Sequence, residues 1–192
     1  MAEGSSKLAP RVSHPARWYL VPVLTGALVA IVLGLLARVE AIAPGTYPGG
    51  CFRLFFSDTL HLKAWFATAA LALAVTQLLS AAWMFGKLPW RRPAWIGVLH
   101  RWTGRLVLVL TLPIAYHCIF RIGLQATSGR VLAHSFLGCA FYGAFAAKIL
   151  VVRLRRFPDS ALATAGGLLF ALLLAVWYVS ALWLFRSTGV RL

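Results

Sequence analysis

Long apolar stretches alternate with short polar ones along the whole chain. Five of the stretches are long enough to cross a ~30 Å hydrocarbon core, which takes about 20 residues. They lie near 19–38, 62–85, 98–120, 131–152 and 161–185. The last is the cleanest, running from Ala161 to Phe185 without a charge, and the third is the least clean, since His100, Arg101 and Arg105 occupy its first two turns. The pattern predicts an all-α integral membrane bundle of five transmembrane helices. No internal repeat, heptad or low-complexity tract interrupts it, so residues 19–185 read as one domain between an N-terminal tail, 1–18, and a short C-terminal tail, 186–192.

Punctuation between the blocks agrees. The loop 39–60 carries Pro44, Gly45, Pro48, Gly49, Gly50 and Cys51, and its end, Phe52 to Phe56, is aromatic enough to lie at the membrane interface. The loop 86–97 has Pro89 and Pro93, with Trp90 and Trp95 as interface anchors. The loop 121–130 is short, which predicts that helices three and four are antiparallel neighbours. Phe157-Pro158-Asp159-Ser160 makes the last turn, with Asp159 or Ser160 as the expected cap of helix five.

Composition fits a membrane bundle, since 61% of the 192 residues are hydrophobic and only 12% charged, more apolar surface than a soluble domain of this size needs. The net charge of +15 is distributed by topology. Twelve of the 19 basic residues (Lys7, Arg11, Arg17, Lys87, Arg91, Arg92, Arg101, Arg105, Lys148, Arg153, Arg155 and Arg156) fall on one side. The other side carries Arg38, Arg53, Lys63, Arg121, Arg130, Arg186 and Arg191. The positive-inside rule then puts the chain in the cytoplasmic membrane with its N-terminus cytoplasmic and its C-terminus external. Such an excess points to contact with membrane lipids, not to nucleic acid. Ala41-Ile42-Ala43 resembles a signal cleavage site, but the run from Leu20 to Ala37 is too long for a signal core and reads as an uncleaved span.

The candidate chemistry lies around the loop between helices three and four. His117-Cys-Ile-Phe-Arg121 precedes it and Arg130-Val-Leu-Ala-His134 follows it, a mirrored pair. Each His stands four residues, about 6 Å, inside the span from its Arg, on the same helical face. Two imidazoles at matched depth, each with a cation one turn nearer water, suit a six-coordinate haem with charged propionates. Gly138, one turn inward of His134, leaves the gap that a porphyrin edge needs, although close helix packing uses a Gly equally well. Pro113 bends the approach to His117. Tyr116, Phe120, Phe136, Phe141 and Tyr142 are candidates to wall an apolar pocket.

An intramembrane ionisable residue is a functional candidate by default. His61, at the start of helix two, is a possible further ligand through a diagonal pairing with His134. His100, near the other surface, is too deep to share that site and has no second His beside it, so one haem per chain is expected. His14 lies in the polar tail. A bridge between Cys118 and Cys139 looks strained, because they differ in depth by about 6 Å. Only four acids occur, Glu3, Glu40, Asp58 and Asp159, which argues against carboxylate acid–base catalysis. A zinc site lacks a fourth Cys or carboxylate in an evident position.

Two resemblances follow from these residues. Leu99-His100-Arg101-Trp102-Thr103-Gly104 in a helical bundle resembles membrane b-type cytochromes, notably cytochrome b561 and ferric-reductase-like proteins, although helix five has no His. About 130 residues resemble more closely an actinobacterial family of integral membrane proteins of uncharacterised function. The runs that carry this likeness are Leu99–Gly104, Pro113–Cys118, His134–Cys139, Tyr142–Phe145 with Lys148, and Ala181–Phe185. That family's pattern implies His100, His117 and His134 more than His61.

The expectation is a cytochrome b-like electron carrier in a respiratory or redox complex, not a stand-alone enzyme. It holds one haem b near the external face, with iron ligands His117 and His134 and propionate partners Arg121 and Arg130. Its redox partners are expected to be a quinol or membrane dehydrogenase and an external redox protein. The alternatives are a non-catalytic anchor or assembly subunit among other membrane subunits, with its His residues in interhelical hydrogen bonds, and a small transporter with His and Lys148 as polar relays.

Overall fold

The computed structural model describes residues 17–39 and 54–192. The N-terminal tail with His14, the Ala41-Ile42-Ala43 segment, Cys51 and most of the first loop lie outside the described residues. Helix α1 runs Arg17–Val39, α2 Thr59–Met84, α3 Ile96–Tyr116 and α4 Gly129–Leu154. Helix α5, Asp159–Trp177, leads into the short α6, Trp183–Thr188. Two π-helical turns interrupt the helices: π1, His117–Ile122, continues α3, and π2, Tyr178–Leu182, joins α5 to α6. With those continuations, five helices among the described residues are long and apolar enough to span a membrane, and no strand is present there. The protein is an all-α, multi-pass membrane bundle.

The helices form a ring and not a row. Helix α2 packs on α3 and on α5, α5 packs on α4, α4 on α1, and α1 returns to π1. Helix α3 therefore does not pack along α4, contrary to the expectation from their short loop. The two face each other across the ring, tied by the Tyr142 hydroxyl donating to the Thr111 carbonyl at 2.7 Å. In place of that pairing, α1 lies along α4 because two glycines let the backbones touch. A Cβ built on Gly26 would lie 2.8 Å from the Gly143 carbonyl oxygen, and one on Gly143 would collide with the Gly26 carbonyl. With lipid tails as apolar as leucine, close approach of this kind is what holds membrane helices together.

Ala70 and Ala74 of α2, Val107 of α3, Phe141 of α4, and Leu169 and Leu173 of α5 form the central core. A second cluster, Ala64, Ala67, Ala181 and Leu184, ties α2 to π2 and α6. Tryptophan donors lock the same corner: Trp177 Nε1 donates to Thr68 Oγ1 at 2.9 Å, and Trp65 Nε1 to the Arg191 carbonyl at 2.7 Å. At the start of α4 the Ser128 side chain accepts from Val131 N. Helix α5 departs from expectation, since its N-cap is Pro158 and no side chain caps it. Proline needs no donor there, and Asp159 falls one position further on, in the first turn, where its charge favours the helix dipole.

The α1–α4 seam yields the first prediction. Gly143→Ala places a methyl against backbone that no rotamer change can move, a misfit worth about 1–3 kcal/mol. Thermal unfolding in mild detergent should show Gly143→Ala well below wild type. Gly34→Ala, where nothing lies within 4 Å of the new Cβ, should leave the transition unchanged.

Candidate functional site

The ring borders a half-open cavity of about 390 Å³ at the end of the bundle where α2 and α4 begin and where α1, π1 and α6 end. Phe141 and Leu173 of the central core form its floor. Its walls are mostly apolar, and a few polar groups converge in it: Lys63 of α2, Cys118 of π1, and Arg130, His134, Ser135 and Tyr142 of α4. A cavity of this size, apolar with few placed polar groups, is the usual form of a small-molecule or cofactor site.

Helix α4 supplies the polar wall, and the reason is local. Arg130, His134 and Gly138 are four residues apart, so one face of α4 presents all three inward. A Cβ built on Gly138 would meet nothing within 4 Å, so this glycine opens space beside the imidazole and serves no close helix contact. His134 Nε2 faces Cys118 Sγ at 3.9 Å, and its Nδ1 is buried without a hydrogen-bond partner. The Arg130 guanidinium is fixed from below, donating to the Val179 carbonyl of π2 at 2.9 Å and lying 3.6 Å over the Trp183 ring. A π-helical turn leaves carbonyls out of the regular ladder, and Arg130 takes one of them.

The other half of the mirrored pair is placed differently. His117 is buried but does not line the cavity; its ring packs edge-on to Tyr116 at 5.6 Å. Arg121 also stands outside the lining, over the Tyr116 ring at 5.9 Å. Cys118, next in sequence to His117, takes the inward position instead. The aromatic wall divides likewise: Phe141 and Tyr142 line the cavity, whereas Tyr116, Phe120 and Phe136 are exposed on the outer surface of the bundle.

The remaining histidines hold helices. His61 is buried, its Nδ1 2.7 Å from Asp58 Oδ2 and its Nε2 3.3 Å from Thr188 Oγ1 of α6. His100, at the opposite end of the bundle, pairs its Nδ1 with Ser80 Oγ at 2.8 Å, while Gln77 donates to the His100 carbonyl and to Thr103 Oγ1. Both make the interhelical hydrogen bonds that are the ordinary use of a membrane histidine. Cys118 and Cys139 are free thiols. Among the described residues no group of three or more His, Cys, Asp or Glu converges as a metal site.

Lys63 is the residue that sequence reasoning misplaced, as one more external charge. It is 9% exposed and lines the cavity with His134. The available signal was a lone Lys one turn inside an apolar span, which membrane energetics marks as functional.

Outside the spans, Asp58 caps α2 with Oδ1 accepting from His61 N at 2.8 Å. Partial burial acts to raise its carboxyl, but the His61 backbone N–H and ring outweigh this and hold it below the usual carboxylate value. A carboxyl lowered by folding stabilises the fold above its unfolded value, about 3.9, and that contribution is lost as pH falls through the folded value. The wild type should therefore lose stability on acidification below about pH 4. Asp58→Ala should be about 1 kcal/mol less stable at neutral pH and lack that acid limb. Thermal unfolding against pH checks both.

No curated protein and no solved structure matches this chain. A family model does match it over residues 19–192, which takes in all five spans, and the chain belongs to that family, described as a family of unknown function (DUF6529).

Proposed function

We propose that this chain is a b-type-cytochrome-like electron carrier of the cytoplasmic membrane, holding one haem b in the cavity. The observation that carries the reading is the inward face of α4, where an imidazole, an open Gly position one turn deeper and a cation one turn nearer the rim share one wall. A haem supplies four of its iron's ligands itself, so the absence of a three-residue metal cluster among the described residues is compatible with it. His134 would hold the iron from the cavity wall, and Arg130 and Lys63 would pair the propionates. His117 would be the second ligand of a bis-imidazole site, which would require π1 to turn it inward from its buried position beside Tyr116. When bound, the haem provides one-electron chemistry; the chain orients it, pairs its charges and keeps out water. The basic distribution supports a cytoplasmic N-terminus, which puts the cavity near the external face, within reach of a quinol or an external redox protein.

A second reading is an anchor or assembly subunit without its own cofactor. His61 and His100 favour it, since both are committed to interhelical hydrogen bonds.

Protein purified after expression with ample haem should show a reduced low-spin α-band with close to one haem per chain. His134→Ala should abolish haem retention, and His117→Ala should convert the spectrum to high spin. Gly138→Val, which fills the open position, should reduce uptake while leaving thermal unfolding near wild type. A featureless spectrum in the haem-replete wild type would overturn the haem reading and leave the subunit reading.

A further inference from the structure

Lys63 and Arg130 bring two cations to one apolar cavity, and among the described residues no acid lines it. The one ion pair among the described residues is Asp58 with His61, outside the cavity. Lys63 has no hydrogen bond or ion pair among the described residues and is nine-tenths buried. Arg130 spends one N–H on the Val179 carbonyl and lies over the Trp183 ring, neutral partners that bring no counter-charge. Guanidinium has five donors, so most of its fork remains available. Placing cations in low dielectric without a counter-charge is costly, and proteins retain such groups where a partner arrives. His134, on the same wall, has its Nδ1 buried and without a hydrogen-bond partner.

Snorkelling to the rim is the ordinary escape for a membrane lysine. Lys63 does not take it: it is buried and lines the cavity one turn below the start of α2. The Arg130 guanidinium is likewise pinned between Val179 and Trp183 instead of reaching outward. Around these groups the walls are apolar, with Ala64, Ala67, Ile114, Leu173, Val176 and Leu184 among them. A small hydrated ion gains nothing from such walls, whereas a hydrocarbon body does.

We infer that the cavity binds an amphiphile with an anionic head, a carboxylate or phosphate, clamped between Lys63 and Arg130, with its apolar body against α2, α5 and α6. Arg130 supplies the planar, pre-oriented contact and Lys63 the point charge opposite. Haem propionates, a fatty-acid carboxylate and a phospholipid phosphate all present this head, so the inference goes beyond the haem reading and survives its failure.

The test uses the full chain, haem-free by its spectrum, in nanodiscs of zwitterionic phosphatidylcholine. A fluorescent long-chain carboxylate is titrated beside its methyl ester, with inorganic phosphate, a phosphatidic acid and haem as competitors. The carboxylate should bind saturably, and the ester at least about tenfold more weakly, the loss expected when a charge-assisted contact is removed. Lys63→Met and Arg130→Gln should each weaken the carboxylate by a similar factor, and Lys63→Arg should retain it. Displacement by phosphatidic acid or by haem identifies which amphiphile the site prefers. Equal binding of ester and carboxylate in the wild type overturns the inference even if a variant misfolds. Full displacement by inorganic phosphate overturns the amphiphile assignment in favour of a free anion. Carboxylate binding without haem uptake sinks only the haem reading. Haem uptake that is unchanged in Lys63→Met and Arg130→Gln, with no preference for carboxylate over ester, sinks only this one.

Discussion

The approach of α1 to α4 at Gly26 and Gly143 sets the rest of the structure. Two backbones that touch exclude any other helix from that face of α4, and α5 packs on α4 as well, so α3 does not lie along α4 although only a short loop joins them. It packs on α2 instead, and five helices close into a ring with space at its centre. The central core fills the middle of that space with Phe141, Leu169 and Leu173. Near one end the inward residues become small, Ala64, Ala67, Gly138 and Ala181, and the space stays open. The cavity is thus a by-product of where small side chains fall, first at a seam and then at a wall.

Charge gives that cavity its chemistry. Elsewhere in the bundle polar groups have partners at hand: His61 has Asp58 and Thr188, and His100 has Ser80. The cavity differs because Lys63, Arg130 and His134 converge there while no carboxylate among the described residues lines it. Both π-helical turns border the same space. Turns of this kind are frequent at functional sites because they re-aim side chains and release carbonyls. Here π2 offers Val179 to Arg130, and π1 directs Cys118 inward and His117 away.

Some of this was legible in the residues alone. Five spans follow from apolar length against a fixed membrane thickness, a property of each segment by itself. The shared face of Arg130, His134 and Gly138 follows from helical spacing, which is local geometry and holds in any fold that keeps α4 helical. The roles of His61 and His100 in joining helices were not settled there, because each needs a partner far along the chain, Thr188 or Ser80.

Which way each helix turns, and which helices meet, was decided only by tertiary packing. The mirrored His–Arg pairs look equivalent in sequence, yet only the α4 pair faces the cavity; the π1 pair is rotated away. Tyr116, Phe120 and Phe136 are as apolar as Phe141 and lie outward, since lipid accepts them as readily as a core does. In water an apolar face must turn inward, so the pattern reveals the rotation. In a membrane no such force distinguishes one apolar face from another, and small-residue contacts between distant segments choose the rotation instead. The sequence by itself therefore determined the number and nature of the helices and the spacing along each. The ring, the cavity and the entry of Lys63 into it were decided by packing between segments that the sequence leaves far apart.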